Sequence, residues 1–180
     1  MPGDSPLAES KLKTIKIMDT RQQKNPDVSS DEWYTPRWII EVLGPFDCDP
    51  CAAPGSVRPF QIAPVCWTKD DDGLHKCWNG IVFMNPPYSR EPLRSFCEKL
   101  ANHGNGIALL VNRQDNLLWQ DVIFPTAKSM IFMRHRVKFI RPDGSGGSPF
   151  FGSCLVAWGD ECDRRLRNSG IEGKYVVLNM

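Results

Sequence analysis

The sequence predicts an α/β domain with a mostly parallel β-sheet and an antiparallel end. Two short, continuous apolar runs at 81–84 and 107–111 are typical of strands that are covered on both faces. Strand and helix patterns alternate along the chain, with a clear amphipathic helix at 90–104 between the two runs. A chain of 180 residues has the length of one domain with a sizeable core.

The predicted elements start after a polar segment. Residues 1–30 carry little periodic apolar content, so we expect a flexible arm ahead of one folded domain at 31–180. A first helix is expected at 36–43, because proline is tolerated in a first helical turn and a Gly-Pro pair follows the apolar spacing. Short strands are expected next, at 46–49 and 65–67.

The second helix and the elements after it are predicted from periodicity and turn residues. Leu93, Phe96, Cys97 and Leu100 form one stripe of the helix, which Gly104 ends. Turn residues at 142–148 indicate a flexible loop between two later strands. The later elements are a helix at 116–124, a long half-exposed strand at 129–140, a strand at 148–159 and a last strand at 174–180.

Positive charge is concentrated in one segment, although the net charge is only +1. Residues 128–141 contain no acid, and Arg134, Arg136 and Lys138 alternate, which would place them on one face of a strand. This pattern fits either a solvated sheet face or a stripe that contacts phosphates.

The cysteines and the apolar runs bear on metal binding and on the cellular compartment that we expect. Seven cysteines without a secretory signal favour reduced thiols. Cys48 and Cys51 have the spacing of half a zinc site, but no second such pair follows, so we expect no metal. Since no apolar run approaches the roughly 18 residues of a membrane span, we expect no membrane association and a cytoplasmic protein.

The stretch NPPY at 85–88 carries the strongest chemical signal. Ligands of open α/β sheets bind beyond the carboxyl ends of the strands, and Asn85 follows a buried strand directly. The Asn85 side-chain oxygen and the Pro86 carbonyl are two acceptors that could grip one planar amine, and an exposed Tyr88 could stack on its ring. The pattern predicts methylation of an amino nitrogen; a rigid turn is the alternative.

Five stretches together resemble the phage-encoded Dam-like DNA N6-adenine methyltransferases, over roughly residues 31–158. They are DEWYTP at 31–36, FDCDPCA at 46–52, DDGL at 71–74, W-x-G-x-V-F-x-N-P-P-Y-S at 78–89 and the R-x-K-F at 136–139. The resemblance implies a Rossmann-like, S-adenosylmethionine-dependent methyltransferase fold. It also implies that the enzyme methylates the exocyclic amine of an adenine flipped out of double-stranded DNA. The catalytic residues that it implies are Asn85, Pro86, Pro87 and Tyr88.

The same resemblance implies a set of residues that bind S-adenosylmethionine. The segments 34–36 and 49–52 would hold its methionine end, Asp72 would accept a hydrogen bond from its adenine amine, and Leu74 would form an apolar wall. The glycine pattern after Asp49 departs from the family's form, because Gly55 comes late. The full set is Trp33, Tyr34, Thr35, Pro36, Asp49, Pro50, Cys51, Ala52, Asp72, Leu74 and Asn85, with Trp67 as a second candidate for stacking on adenine.

The resemblance also suggests how DNA is bound, and it leaves alternatives open. Arg134, Arg136 and Lys138 are the expected DNA contacts, and we expect a monomer or a homodimer without a separate target-recognition domain. The same NPPY site serves enzymes that methylate RNA bases or protein glutamine, and cytosine N4 is a further possible target. A non-catalytic DNA-binding module with a degenerate cofactor site is the alternative outside the enzymes.

Overall fold

The computed structural model describes residues 33–141 and 145–179. The predicted N-terminal arm at 1–30 lies outside the described residues, as do residues 142–144 of the predicted loop at 142–148. No described helix combines the length and the apolar character needed to cross a membrane. All seven cysteines are free thiols.

A seven-stranded sheet forms the centre of the molecule, and a two-stranded ribbon accompanies it. The strands of the sheet are β1 (Cys48–Asp49), β2 (Val65–Cys66), β3 (Val82–Met84), β4 (Gly106–Val111), β5 (Ser129–Met133), β8 (Ser153–Trp158) and β9 (Gly173–Val177). The ribbon consists of β6 (Phe139–Ile140) and β7 (Gly146–Gly147). In space the sheet runs β2-β1-β3-β4-β8-β5-β9.

The direction of the strands confirms the predicted sheet. Strands β2, β1, β3 and β4 are parallel neighbours, whereas β8 is antiparallel to both β4 and β5, and β9 is antiparallel to β5. The carboxyl ends of β1, β3, β4 and β5 therefore lie at one edge of the sheet, beside the start of β8. This edge is called the carboxyl edge below.

Helices α1 and α2 lie where proline, glycine and apolar spacing predict them. Helix α1 (Arg37–Leu43) directly follows Pro36, and α2 (Arg90–His103) ends at Gly104, whose φ of 73° suits glycine. A 3₁₀ turn (Lys69–Asp71), a π-helical turn (Trp119–Ile123), α3 (Phe124–Thr126) and α4 (Asp160–Asn168) complete the described helical elements.

Two hydrophobic clusters cover the two faces of the sheet. Cys154 and Val156 of β8 belong to one cluster, with α2 and the helical residues around 119–123, while Leu155 and Ala157 belong to the other, with α1 and α4. Because both faces are buried, the strands are apolar throughout rather than alternating.

The expectation of one long strand over 129–140 is wrong. Strand β5 ends at Met133, which pairs with the first residue of β9, and the chain then leaves the sheet. Strand β6 pairs with β7 instead. Arg134, Arg136 and Lys138 are consequently exposed in the connection between β5 and β6, and they do not form one face of a strand.

Helix α4 is an element that the sequence analysis did not predict. Its buried residues Cys162 and Leu166 are four positions apart, which gives one apolar stripe. Acidic residues fill its first turn and basic residues its last turn, as the helix dipole favours. These charged residues are Asp160, Glu161 and Asp163 at the start, and Arg165 and Arg167 at the end.

Candidate active site

The carboxyl end of β1 places a buried carboxyl group at the carboxyl edge. Asp49 is 3% exposed, and its Oδ1 accepts a hydrogen bond from the Cys51 N–H at 3.1 Å. Burial raises the pKa of Asp49 to about 7, and this hydrogen bond and the Arg58 guanidinium offset the rise only in part. Among the described residues, no ion pair includes Asp49.

The carboxyl end of β3 holds Asn85 in one orientation. Its Nδ2 donates to the Trp33 carbonyl at 2.6 Å, and its Oδ1 accepts from the Tyr88 hydroxyl at 2.9 Å. These two partners fix which end of the amide is the acceptor. Since an amide oxygen has two lone pairs, one acceptor site of Oδ1 remains for a further donor.

Tyr88 does not present the exposed aromatic ring that the sequence analysis expected. The residue is half-buried, and its hydroxyl lies 3.4 Å from the Leu109 carbonyl of β4 as well as beside Asn85. Burial raises the pKa of this hydroxyl far above its usual range, so it stays protonated as a donor. In this structure Tyr88 therefore orients Asn85.

The segment before α1 closes the site from the other side. Tyr34 exchanges backbone hydrogen bonds with Ile140 of β6, at 2.9 and 3.0 Å. The Trp33 ring packs edge-on against Phe139, with the ring centroids 6.0 Å apart. Thr35 is buried, and its Oγ1 has no hydrogen-bond partner in the described structure.

The 71–74 turn forms the floor beside β1. Asp72 is exposed, has a φ of 53°, and lies with its Oδ2 2.7 Å from His75 Nδ1. A Cβ on Gly73 would lie 2.2 Å from the Pro50 carbonyl oxygen, so only glycine allows the two turns to approach this closely. Leu74 is half-buried and packs on the core.

These segments enclose one cavity of about 530 Å³, a size that suits a nucleotide-like ligand. Most of the predicted site residues line it. They are Trp33, Tyr34, Thr35, Asp49, Pro50, Cys51, Ala52, Asp72, Leu74, Asn85 and Pro87. Pro36, Trp67, Pro86 and Tyr88 do not line this cavity.

Several lining residues were not predicted. Arg58 and Phe60 come from segment 56–68, which contains no carboxylate, and Phe96 comes from α2. Arg58 Nε donates to the Ala53 carbonyl at 3.0 Å, which ties this segment to the turn after β1. The Arg37 guanidinium lies 4.4 Å from the centre of the Phe60 ring. No local sequence signal marks these contacts.

The three basic residues predicted to contact DNA lie outside this cavity. Arg136 and Lys138 line a second cavity of about 390 Å³ beside the exposed Trp38 and Val42 of α1. Arg134 lies 4.0 Å from Glu172. All three follow β5 at the carboxyl edge, three strand positions from β3.

The described residues contain no group of three or more His, Cys, Asp or Glu side chains that could hold a metal ion. Burial raises the pKa of the Cys51 thiol well above its usual range, with the Asp49 carboxyl adding to the effect. Cys51 therefore lines the cavity as a neutral thiol.

Comparison with protein families gives one match. The model of the DNA N-6-adenine-methyltransferase (Dam) family matches residues 22–159, which is most of the chain. The chain belongs to the Dam family of DNA N6-adenine methyltransferases. Neither the curated proteins nor the solved structures gave a match.

Membership of the Dam family gives the activity of the chain. The match spans every residue that lines the main cavity, together with NPPY, the ribbon and β8. The chain is thus an adenine-specific DNA methyltransferase, and the exocyclic amine of adenine is the group that it methylates.

Proposed function

We propose that this Dam-family enzyme binds S-adenosylmethionine in the cavity between the β1 turn and Asn85, and that Asn85 accepts a hydrogen bond from the amine of a flipped adenine. The observation that carries this proposal is the fixed Asn85 amide. Its acceptor end lies at the carboxyl end of a buried strand, beside a cavity that contains a buried carboxyl group.

The side chains of the cavity fit the cofactor. A buried carboxyl group that forms no ion pair among the described residues suits the ammonium group of the methionine end, and Asp49 is such a group. The unpartnered Thr35 Oγ1 offers a hydrogen bond to the polar atoms of a ligand in the same cavity. Asp72 is the proposed acceptor for the cofactor's adenine amine, while Trp33 and Leu74 contribute apolar surface.

S-adenosylmethionine, when bound, supplies a methyl group on a positively charged sulfur. This sulfur becomes a neutral thioether once the methyl group has been transferred. The contribution of Asn85 is to hold the adenine amine by its free acceptor site, which draws the nitrogen lone pair out of conjugation with the ring. The Pro86 carbonyl is the proposed second acceptor. The surplus proton of the amine leaves to solvent, so no strong base is needed.

The two prolines and the two partners of Asn85 prepare this site before DNA binds. Pro86 and Pro87 restrict the backbone, and Trp33 and Tyr88 hold the side chain. A preorganised acceptor lowers the barrier more than a mobile one, because no reorganisation is needed during the reaction.

The wider context of the reaction is also a proposal. Double-stranded DNA is the proposed substrate, with Arg134, Arg136 and Lys138 as phosphate contacts. Residues 31–180 are the proposed catalytic domain, acting as a monomer or a homodimer in the cytoplasm. The five motif stretches support a phage-type enzyme.

The test is methylation of DNA of varied sequence with labelled S-adenosylmethionine, for the parent and for Asn85→Ala. We expect Asn85→Ala to lower the rate by about 10²–10³-fold while cofactor affinity stays nearly unchanged, because only the transition state loses an acceptor. Asn85→Asp keeps an acceptor and should retain measurable activity. Asn79→Ala, an exposed asparagine ahead of β3, is the matched control. Equal rates for Asn85→Ala and the parent would remove Asn85 from the mechanism.

A further inference from the structure

Two adjacent phenylalanines are exposed just ahead of β8. The Phe150 side chain is 82% exposed and that of Phe151 is 43% exposed, and their rings meet edge to face with centroids 5.2 Å apart. An exposed leucine, Leu117, lies in the connection that follows β4. Exposing such a large apolar surface to water is unfavourable, which indicates that this surface contacts another molecule.

This aromatic pair is held in place by the end of β4. The Arg113 guanidinium lies 5.1 Å from the centre of the Phe151 ring. The Asn112 N–H donates to the Gly152 carbonyl at 2.9 Å, and Asn112 Nδ2 donates to the Ser153 carbonyl at 3.3 Å. These hydrogen bonds anchor the loop on the C-terminal side of the two phenylalanines, and Phe150 projects from it.

The position of the pair relates it to the proposed reaction centre. Strand β8 starts at the carboxyl edge, where Ser153 pairs with Val111 at the end of β4. Strand β4 is the direct neighbour of β3, which leads into Asn85. Since neighbouring strands are about 4.8 Å apart, the aromatic pair leaves the sheet close to the proposed site of methyl transfer.

We propose that Phe150 inserts into the DNA duplex at the position vacated by the flipped adenine, with Phe151 and Arg113 bracing it. This inference rests on the proposed function. Extruding a base costs its stacking, and an aromatic side chain that stacks on the neighbouring bases restores part of that free energy. A wedge of this kind needs an exposed ring on a supported loop beside the catalytic site. Phe150 has this exposure, support and position.

Native and heat-denatured DNA from one preparation separate the wedge from the chemistry. With labelled S-adenosylmethionine, we expect Phe150→Ala to lower kcat/KM on native DNA by about 10- to 100-fold relative to the parent, as the loss of one base–aromatic stack implies. On denatured DNA the loss should be less than about twofold, because a base in a single strand is unpaired and costs less to extrude. Phe150→Trp, which keeps a stacking ring, should restore activity on native DNA.

Val177→Ala is the matched control. Val177 is an exposed apolar side chain, 45% exposed, and it pairs with Ser129 at the start of β5, which is the opposite edge of the sheet. The Val177→Ala variant should methylate native and denatured DNA at the parent rates. A second readout is the fluorescence of 2-aminopurine placed at the adenine that the parent methylates, which rises when the base leaves the stack; Phe150→Ala should reduce this rise.

The outcomes of these assays separate a failure of the wedge from a failure of the proposed function. If the parent methylates DNA and Phe150→Ala methylates native DNA at the parent rate, only the wedge is overturned. A variant that loses equal activity on native and denatured DNA also overturns it, since Phe150 would then act on the substrate strand itself. A parent that methylates neither form contradicts the proposed function, and the wedge falls with it.

Discussion

Asp49 shows how burial sets the chemistry of a single residue. The end of β1 brings its carboxyl group to the cavity, where burial raises its pKa to about 7. In the unfolded chain an aspartate has a pKa of about 3.9. The folded protein therefore binds one proton more than the unfolded chain between these two values, and this contribution to stability is complete below about pH 4 and is lost as the pH rises through about 7.

Asp49→Asn should remove this pH dependence. The free energy of unfolding of the variant should exceed that of the parent increasingly from about pH 4 to pH 7, and by a constant amount above that, with a ceiling of about 4 kcal/mol from the size of the shift. Urea unfolding at pH 5, 6.5 and 8 measures it. The variant should also bind S-adenosylmethionine more weakly at pH 8, because the ionised carboxylate is gone. Parallel stability curves for the two proteins would contradict this account of Asp49.

At the scale of elements, two turns at the carboxyl edge are in close contact. The turn after β1 and the 71–74 turn touch at Gly73 and Pro50, and both line the main cavity. A side chain at this contact has no free space, whereas Gly55, also near this turn, has nothing within 4 Å of the place where a Cβ would lie. The close approach of the two turns thus depends on Gly73 and not on Gly55.

Gly73→Ala should push the two turns apart and change the shape of the cavity. We expect a loss of about 1–3 kcal/mol in stability, as for other cases of overpacking, and a weaker affinity for S-adenosylmethionine. Gly55→Ala is the matched control and should leave both unchanged. Calorimetric titration of the cofactor and thermal unfolding of both variants measure these effects. If both variants bind the cofactor equally well, the contact has no role in shaping the cavity.

The sequence predicted those elements whose signals are local. The apolar run ahead of Asn85, the stripe of α2 and the glycine that ends it required no knowledge of distant residues. The end of β5 depends on where its neighbour β9 begins, and the alternation of 134–138 could not reveal this. Helix α4 does carry a local signal, in the acidic residues of its first turn and the basic residues of its last turn.

The active site divides in the same way. Asn85 was predicted because it directly follows a recognisable strand, and Asp49 was predicted from the family resemblance of its segment. The orientation of Tyr88 was not, because it depends on Leu109 of the neighbouring strand, 21 positions away. The partner of the Asn85 amide, Trp33, is 52 positions away. Such contacts follow from the tertiary fold, and a local pattern does not contain them.

At the scale of the whole molecule, the proposed function places DNA at the carboxyl edge. Asn85, the Phe150 loop and the basic connection after β5 all leave the sheet at the carboxyl edge. Since β5 is three strand positions from β3, the basic connection begins about 14 Å from the proposed reaction centre. A duplex is wide enough to reach both at once. Among the described residues, no ion pair includes Arg136 or Lys138, whereas Arg134 lies near Glu172.

Removing the two unpaired charges should therefore weaken binding to all DNA sequences alike. For the double variant Arg136→Gln/Lys138→Gln, we expect the slope of log affinity against log salt concentration to fall by about two units, because each phosphate contact releases about one counterion. Lys128→Gln/Arg164→Gln removes the same charge from residues that pair with Asp160 and Glu161, and it should leave the slope nearly unchanged. Fluorescence anisotropy of a labelled duplex over a range of salt concentrations measures both slopes. If the two double variants lose the same slope, only net charge matters, and the basic connection is a solvated surface that does not contact DNA.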